Sequence, residues 1–258
     1  MQLLKLGGSV ITDKSKPFTA KTEDVDRLSE EIASTGSELN VLVHGGGSYG
    51  HTVAEANRIA GGFNSAEQLP GFSRTHQAML TLNHIIVESM IDAGVHAFGL
   101  SPSSFIITEN GKIMNTDLSI VKSYIELGMV PVLFGDAVLD HKMGFTILSG
   151  DQLIVSIAKY LKADRIIMGC DVDGIFTSDP KMGGDAELIE ALNVRDLEMA
   201  KLGKALNTDV TGGMMGKARE AVEAAKVGIE VVFVNACVKG RVRSALRRED
   251  VKGTILTR

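Results

Sequence analysis

Two glycine turns carry the residues most able to do chemistry. The first is Lys5-Leu6-Gly7-Gly8-Ser9, after the short apolar run that opens the chain. The second is His44-Gly45-Gly46-Gly47-Ser48-Tyr49-Gly50-His51, between the apolar run Val41-Leu42-Val43 and a helical pattern. Consecutive glycines at a strand-to-helix junction let backbone N–H groups converge on an anion at the positive end of the helix. Two such turns and a lysine imply two phosphate groups held close together, a geometry for moving phosphate as well as binding it. A tight turn with no ligand would explain one of these stretches, but it explains a pair at strand ends less well.

Other segments carry weaker signals. Gly45-x-Gly47-x-x-Gly50 formally matches the dinucleotide fingerprint, which also needs an acidic residue roughly 20 residues on, at the end of the next strand. The candidate here is Glu67, in a loop-like stretch, so NAD is disfavoured. Thr211-Gly212-Gly213-Met214-Met215-Gly216-Lys217 lacks P-loop spacing, yet it sets glycines and a lysine at a helix start. Taken alone, Lys217 reads better as a solvated helix lysine. Lys14 and Lys16 lie in a polar stretch, where a solvated loop suffices for one of the two. The segment Asp171 to Lys181 is either a turn-rich surface loop or a phosphate and Mg²⁺ site, with Asp171 and Asp173 acting through water. His51 sits where it can face a bound anion. His76, His84 and His96 carry no such signal. Met79, Leu82, Ile86 and Met90 recur at helical spacing, as a core stripe does, and part of that stripe could wall an apolar pocket.

Apolar runs predict strands over 2–6, 40–43, 96–100, 130–134, 165–168 and 230–234. Helical periodicity covers 23–34, 52–59, 72–93, 118–127, 151–161, 194–201, 214–226 and 242–247. Strands apolar throughout and separated by helices predict an α/β fold with a mainly parallel sheet covered on both faces. Such sheets bind ligands beyond the carboxyl ends of their strands, where Lys5, Gly45, Gly135 and Asp171 all fall. Asn110-Gly111 marks a hairpin between 105–108 and 112–114, and a second hairpin joins 137–139 to 145–148. These hairpins could cover the acceptor side. No linker divides the chain, so one domain over 1–258 is expected, with two lobes parting near Ser149-Gly150-Asp151.

The 258 residues carry a net charge of −5, with 44% hydrophobic and 23% charged residues. That balance fits an ordinary core and argues against general nucleic-acid binding. No apolar run reaches the roughly 18–20 residues that span a bilayer, and no basic leader precedes the first strand, so a cytoplasmic protein is expected. Cys170 and Cys237, each beside an apolar run, read as buried reduced thiols.

Taken in order, the segments at 5–9, 45–51, 149–151, 171–181 and 212–217 resemble the amino-acid kinase superfamily, and within it most of all the archaeal isopentenyl phosphate kinases. The resemblance implies a three-layer αβα sandwich, usually homodimeric, using ATP and Mg²⁺. It implies that Lys5, Gly7, Gly8 and Lys217 hold the ATP phosphates and that Lys14 stabilises the transferring phosphoryl group. Gly46, His51 and Gly150 would bind the acceptor phosphate, and Gly47, Asp171, Phe176, Lys181 and Gly213 would belong to the nucleotide site. No side chain is assigned as a direct metal ligand. The small-molecule partner is then a phosphate acceptor. The other readings are a kinase of the same fold acting on fosfomycin, for which Arg74 could supply a charge partner, and a non-catalytic nucleotide sensor.

Overall fold

The computed structural model describes residues 1–114, 116–178, 186–194 and 212–258. In chain order its first half holds β1 (Gln2–Leu6), α1 (Gly8–Ile11), α2 (Thr22–Ala33), β2 (Leu39–His44), α3 (Gly47–Ala56), α4 (Leu69–Asp92), β3 (Ala97–Gly99), β4 (Thr108–Glu109), β5 (Lys112–Ile113) and α5 (Ser119–Glu126). The second half holds β6 (Val130–Phe134), β7 (Asp136–Asp140), β8 (Gly144–Leu148), α6 (Gly150–Leu161), β9 (Arg165–Cys170), β10 (Ala191–Asn193), α7 (Gly212–Ala225), β11 (Glu230–Asn235), α8 (Arg241–Leu246) and β12 (Gly253–Thr257).

Eight strands form one sheet in the order β10-β12-β11-β9-β1-β2-β6-β3, parallel except for the β11–β12 pair. Alternation along each strand sends side chains to two cores. Leu3, Val41, Val43 and Leu133 pack with α6 and α7, whereas Leu4, Leu42, Val132 and Phe134 pack with α2 and α4. The result is an αβα sandwich, as the apolar strands predict. A second sheet, β5-β4-β7-β8, is built from the two hairpins, with β7 packed on α4 and β5 on α6. Asn110 and Gly111 both take positive φ, 49° and 73°, the twist that a two-residue hairpin turn requires.

Several boundaries differ from the sequence reading. Helix α3 begins at Gly47, five residues before the expected 52, because the Tyr49 and Gly50 amides bond to the Gly46 carbonyl and turn the glycine segment into the first helical turn. Gly8–Ile11 is likewise a short helix where a plain turn was expected. Residues 105–107 precede β4 and are not strand, because a 3₁₀ turn at Pro102–Ser104 occupies the approach. Strands β10 and β12 were not anticipated; each is short, and β12 is held between β10 and β11. The predicted helix over 194–201 lies outside the described residues beyond Val194. Cys170 is buried but Cys237, in the turn after β11, is exposed.

Candidate active site

Pairing in register (Lys5 with Val43, Leu6 with His44) makes β1 and β2 end side by side. The two glycine turns therefore leave the sheet together and press backbone on backbone. A Cβ on Gly8 would lie 2.3 Å from the Gly47 nitrogen, and one on Gly47 would lie 2.0 Å from Thr12 Oγ1. Gly47 also holds φ at +48°, which favours glycine. Close approach is thus the reason for glycine at these positions. It brings the N-termini of α1 and α3 to one point, and Gly150 starts α6 nearby, where a Cβ would lie 3.2 Å from the His44 carbonyl oxygen. Ser149 caps α6 by accepting from the Asp151 N–H.

These turns and helix ends wall a cleft of about 360 Å³. Lys5, at the end of β1, is only 4% exposed and places Nζ 2.7 Å from Asp151 Oδ1. Lys217, from α7, places Nζ 3.4 Å from the other oxygen of the same carboxylate. Burial opposes the Asp151 charge, but the two lysines outweigh it and hold the carboxyl below its usual range. One carboxylate therefore spaces two ammonium groups. The 149–151 segment marked this stretch in the sequence, but nothing there showed that Asp151 would bridge Lys5 and Lys217, the second of them 66 residues further along the chain.

His51 lies on the cleft wall. Partial burial is the main influence lowering its pKa; Glu55 opposes the shift, while Lys217, Lys14 and Lys5 add to it. The ring is therefore biased toward the neutral form at rest. Lys14 is exposed and is not part of the wall, but its charge reaches His51. Its loop is tied to the second glycine turn: the Ser48 N–H donates to Thr12 Oγ1 (3.0 Å), the Phe18 N–H donates to the Ser48 carbonyl (3.3 Å), and Phe18 meets Tyr49 edge-on.

Beyond His51 the cleft turns apolar, with Ala54, Met79, Ile147 and Leu148, interrupted by Thr75 and Asp136. Met79 is the one member of the helical stripe on this wall; Leu82, Ile86 and Met90 stay in the core. His76, discounted from sequence, accompanies this wall from behind, with Nδ1 2.9 Å from the buried Asp136 carboxylate. Arg74 faces a separate groove between α3 and α4.

Of the residues picked from sequence, the cleft gathers Lys5, Gly8, Gly46, His51, Gly150 and Lys217. Gly7 is turned into the sheet, its N–H bonded to the Gly169 carbonyl (2.8 Å). Gly47, Asp171 and Phe176 do not wall the cleft; Gly47 packs on Gly8, Asp171 follows β9, and Phe176 bridges to Leu188. Gly213 belongs to the first turn of α7. Lys181 lies outside the described residues. Asp173 is committed to cations: partial burial opposes its charge, yet Lys252, Arg241 and Asn235 hold its pKa at about 2. Among the described residues no three His, Cys, Asp or Glu side chains group as a metal cage.

The amino acid kinase family profile matches residues 1–235. The chain belongs to that family. An isopentenyl phosphate kinase from Methanothermobacter thermautotrophicus is 40% identical to this amino acid kinase over 264 residues, covering 100% of the chain and 99% of the relative. One from Thermoplasma acidophilum is 33% identical, covering 99% of the chain and 100% of the relative. A crystal structure described as isopentenyl phosphate kinase superposes with a TM-score of 0.88 at 37% identity, over the whole of both chains. In this amino acid kinase no helix among the described residues is long and apolar enough to cross a membrane.

Proposed function

We propose that the protein transfers the terminal phosphoryl group of ATP to isopentenyl phosphate, giving ADP and isopentenyl diphosphate. The observation that carries this reading is the composition of the cleft: two lysines spaced by one carboxylate at one end, His51 and glycine N–H groups beside them, and an apolar continuation past Met79. Full-length similarity to isopentenyl phosphate kinases supports it.

The chemistry follows from charge. A phosphate monoester is largely a dianion at neutral pH, since its second pKa is about 6, so the acceptor needs no strong base. The obstacle is repulsion between donor and acceptor. Two unit charges about 4 Å apart repel by roughly 4 kcal/mol at an effective dielectric near 20. Lys5 and Lys217 would take the ATP phosphates, with Gly8; Gly7, its N–H spent on the Gly169 carbonyl, would serve only to shape the turn. Lys14 would meet the phosphoryl group in flight. Gly46, His51 and Gly150 would hold the acceptor phosphate in line with it. Gly47, Asp171, Phe176, Lys181 and Gly213 complete the nucleotide site in this reading. Mg²⁺ would arrive on the ATP phosphates and neutralise part of their charge. Residues 1–150 then form the acceptor lobe and 151–258 the nucleotide lobe of a cytoplasmic homodimer.

Arg74, which could pair with the phosphonate of fosfomycin, faces the other groove. A sensor would have no use for Lys14 and His51 beside two paired lysines. ADP release measured with isopentenyl phosphate, fosfomycin and an acylated amino acid tests all three readings. Release fastest with isopentenyl phosphate is expected; faster release with either other acceptor, or none with any, overturns the assignment.

A further inference from the structure

His44 ends β2 and is fully buried behind the second glycine turn. Its side chain shares a sheet face with Leu42, two residues back, and so lies on the α4 side, tilted against Phe134 with ring centroids 5.5 Å apart. Two hydrogen bonds determine where its proton sits. Nδ1 is 3.1 Å from the Gly45 carbonyl oxygen, which can only accept, so Nδ1 carries hydrogen. Nε2 is 3.2 Å from Asn83 Nδ2, and the same amide nitrogen is 3.2 Å from the Val132 carbonyl. Turning the amide over would set two acceptor oxygens against each other. Asn83 therefore donates and Nε2 accepts, leaving a neutral ring with its hydrogen on Nδ1. Burial first, and the nearby Lys5 charge, push the pKa of this ring down to about 4, so the same form persists through neutral pH.

This ring constrains the loop that follows it. The Gly45 N–H donates to the Leu6 carbonyl at 2.9 Å, and the Gly45 carbonyl is drawn to His44 on the α4 side. Among the described residues no peptide is cis, so the Gly46 N–H points opposite to that carbonyl. It is directed away from α4, to the side where Gly150 begins α6 and where Gly46 and His51 wall the cleft. An amide at the start of a helix has no partner within the helix, and among the described residues no other acceptor takes this one.

We propose that His44 is a positioning residue for phosphoryl transfer: held as the Nδ1–H tautomer by Asn83, it pins the Gly45 carbonyl and so aims the Gly46 N–H at the acceptor phosphate. This rests on the acceptor site proposed above. The ¹⁵N spectrum of the histidine-labelled wild-type protein, with His44 assigned by its loss in H44N, tests the first part. A ring with a protonated Nδ1 and a bare Nε2, not titrating across neutral pH, is expected. An Nε2–H ring or an imidazolium overturns the proposal.

Kinetics test the second part. H44L removes the donor and should lower kcat/KM for isopentenyl phosphate roughly 10- to 100-fold, the scale of a hydrogen bond to a charged group, while KM for ATP holds. H44N keeps an N–H near the position of Nδ1 and should recover most of the loss; H44Q reaches toward Asn83 instead and should not. Equal activity of H44L and wild type, or equal loss in H44L and H44N with ATP binding intact, overturns the proposal. If H44L does not fold, N83L replaces it, with the same expected split between acceptor and ATP. Absence of isopentenyl phosphate turnover in the wild type would count against the functional reading, whereas the wrong tautomer would count against His44 alone.

Discussion

Replacing Asp151 with asparagine keeps the side-chain shape and removes the charge that spaces Lys5 from Lys217. In the wild type the carboxylate is 13% exposed, 2.7 Å from one ammonium and 3.4 Å from the other. In Asp151→Asn, Lys5 stays 4% exposed with no opposite charge and with Lys217 as its neighbour. Removing one partner of a buried pair costs about 3–5 kcal/mol. Lys217, at 22% exposed, is partly screened, so the lower end is expected. For a chain of this size about 3 kcal/mol lowers Tm by roughly 6–12 °C. ATP should bind at least as tightly as before, because its phosphates can replace the lost carboxylate. The reaction should slow by about 10²-fold, since the lysines are no longer held in register. Melting curves with and without a non-hydrolysable ATP analogue, together with kcat, read both effects. The pH dependence has a definite sign. The folded pKa of Asp151 is depressed below 3.8, so its contribution is complete above that value and is lost as pH falls through the lower folded pKa. The stability gap between wild type and variant should be flat near neutrality and close on acidification. An unchanged Tm, or lost ATP binding with kcat intact, would refute the spacing role.

Three further outcomes follow from the same geometry. His51→Ala should raise KM for the acceptor and cut kcat while ATP still binds, and ¹H–¹⁵N titration of wild-type His51 should give a midpoint below 6.5 in the unliganded protein. Lys14→Met should lower kcat with little change in ATP affinity, because this exposed lysine belongs to neither the cleft wall nor the lysine–carboxylate set; a large affinity loss with kcat unchanged would contradict that. Gly8→Ala brings a methyl within 2.3 Å of the Gly47 nitrogen and should destabilise the fold by about 1–3 kcal/mol in urea unfolding while lowering activity, as the two turns are forced apart.

The parallel sheet was legible because its strands are apolar on both faces. The runs at 2–6 and 130–134 coincide with β1 and β6, and the Asn110-Gly111 turn lies where the sequence puts it. Glycine misled the reading in one direction only. The helical pattern starts at 52, after the glycine turn, whereas packing of Gly47 on Gly8 and Thr12 folds the glycine segment into the helix. The residues that share the cleft were legible in the glycine turns, at Gly8 and Gly46, and where a lysine ends a strand, at Lys5, while Gly150 entered only through the family resemblance. It was not legible where the contact is made between distant parts of the chain. Asp151 reads as an ordinary first-turn acid of a helix, and His76 reads as a polar residue among core positions. The bond from His76 to Asp136 spans 60 residues of sequence.

The placement of Asp151 also bears on why the cleft is ready for anions before any arrive. Two ammonium groups without a carboxylate between them would repel each other and, in a buried site, would favour losing a proton or moving apart. Two carboxylates would cancel the field that phosphate needs. One carboxylate shared by two lysines leaves a net positive charge and fixes the direction of both cations, at the ends of strands where three helix N-termini add their partial charges. On the proposed reading, ATP would exchange an internal anion for an external one, and the ammonium groups would need no reorganisation at the moment of transfer.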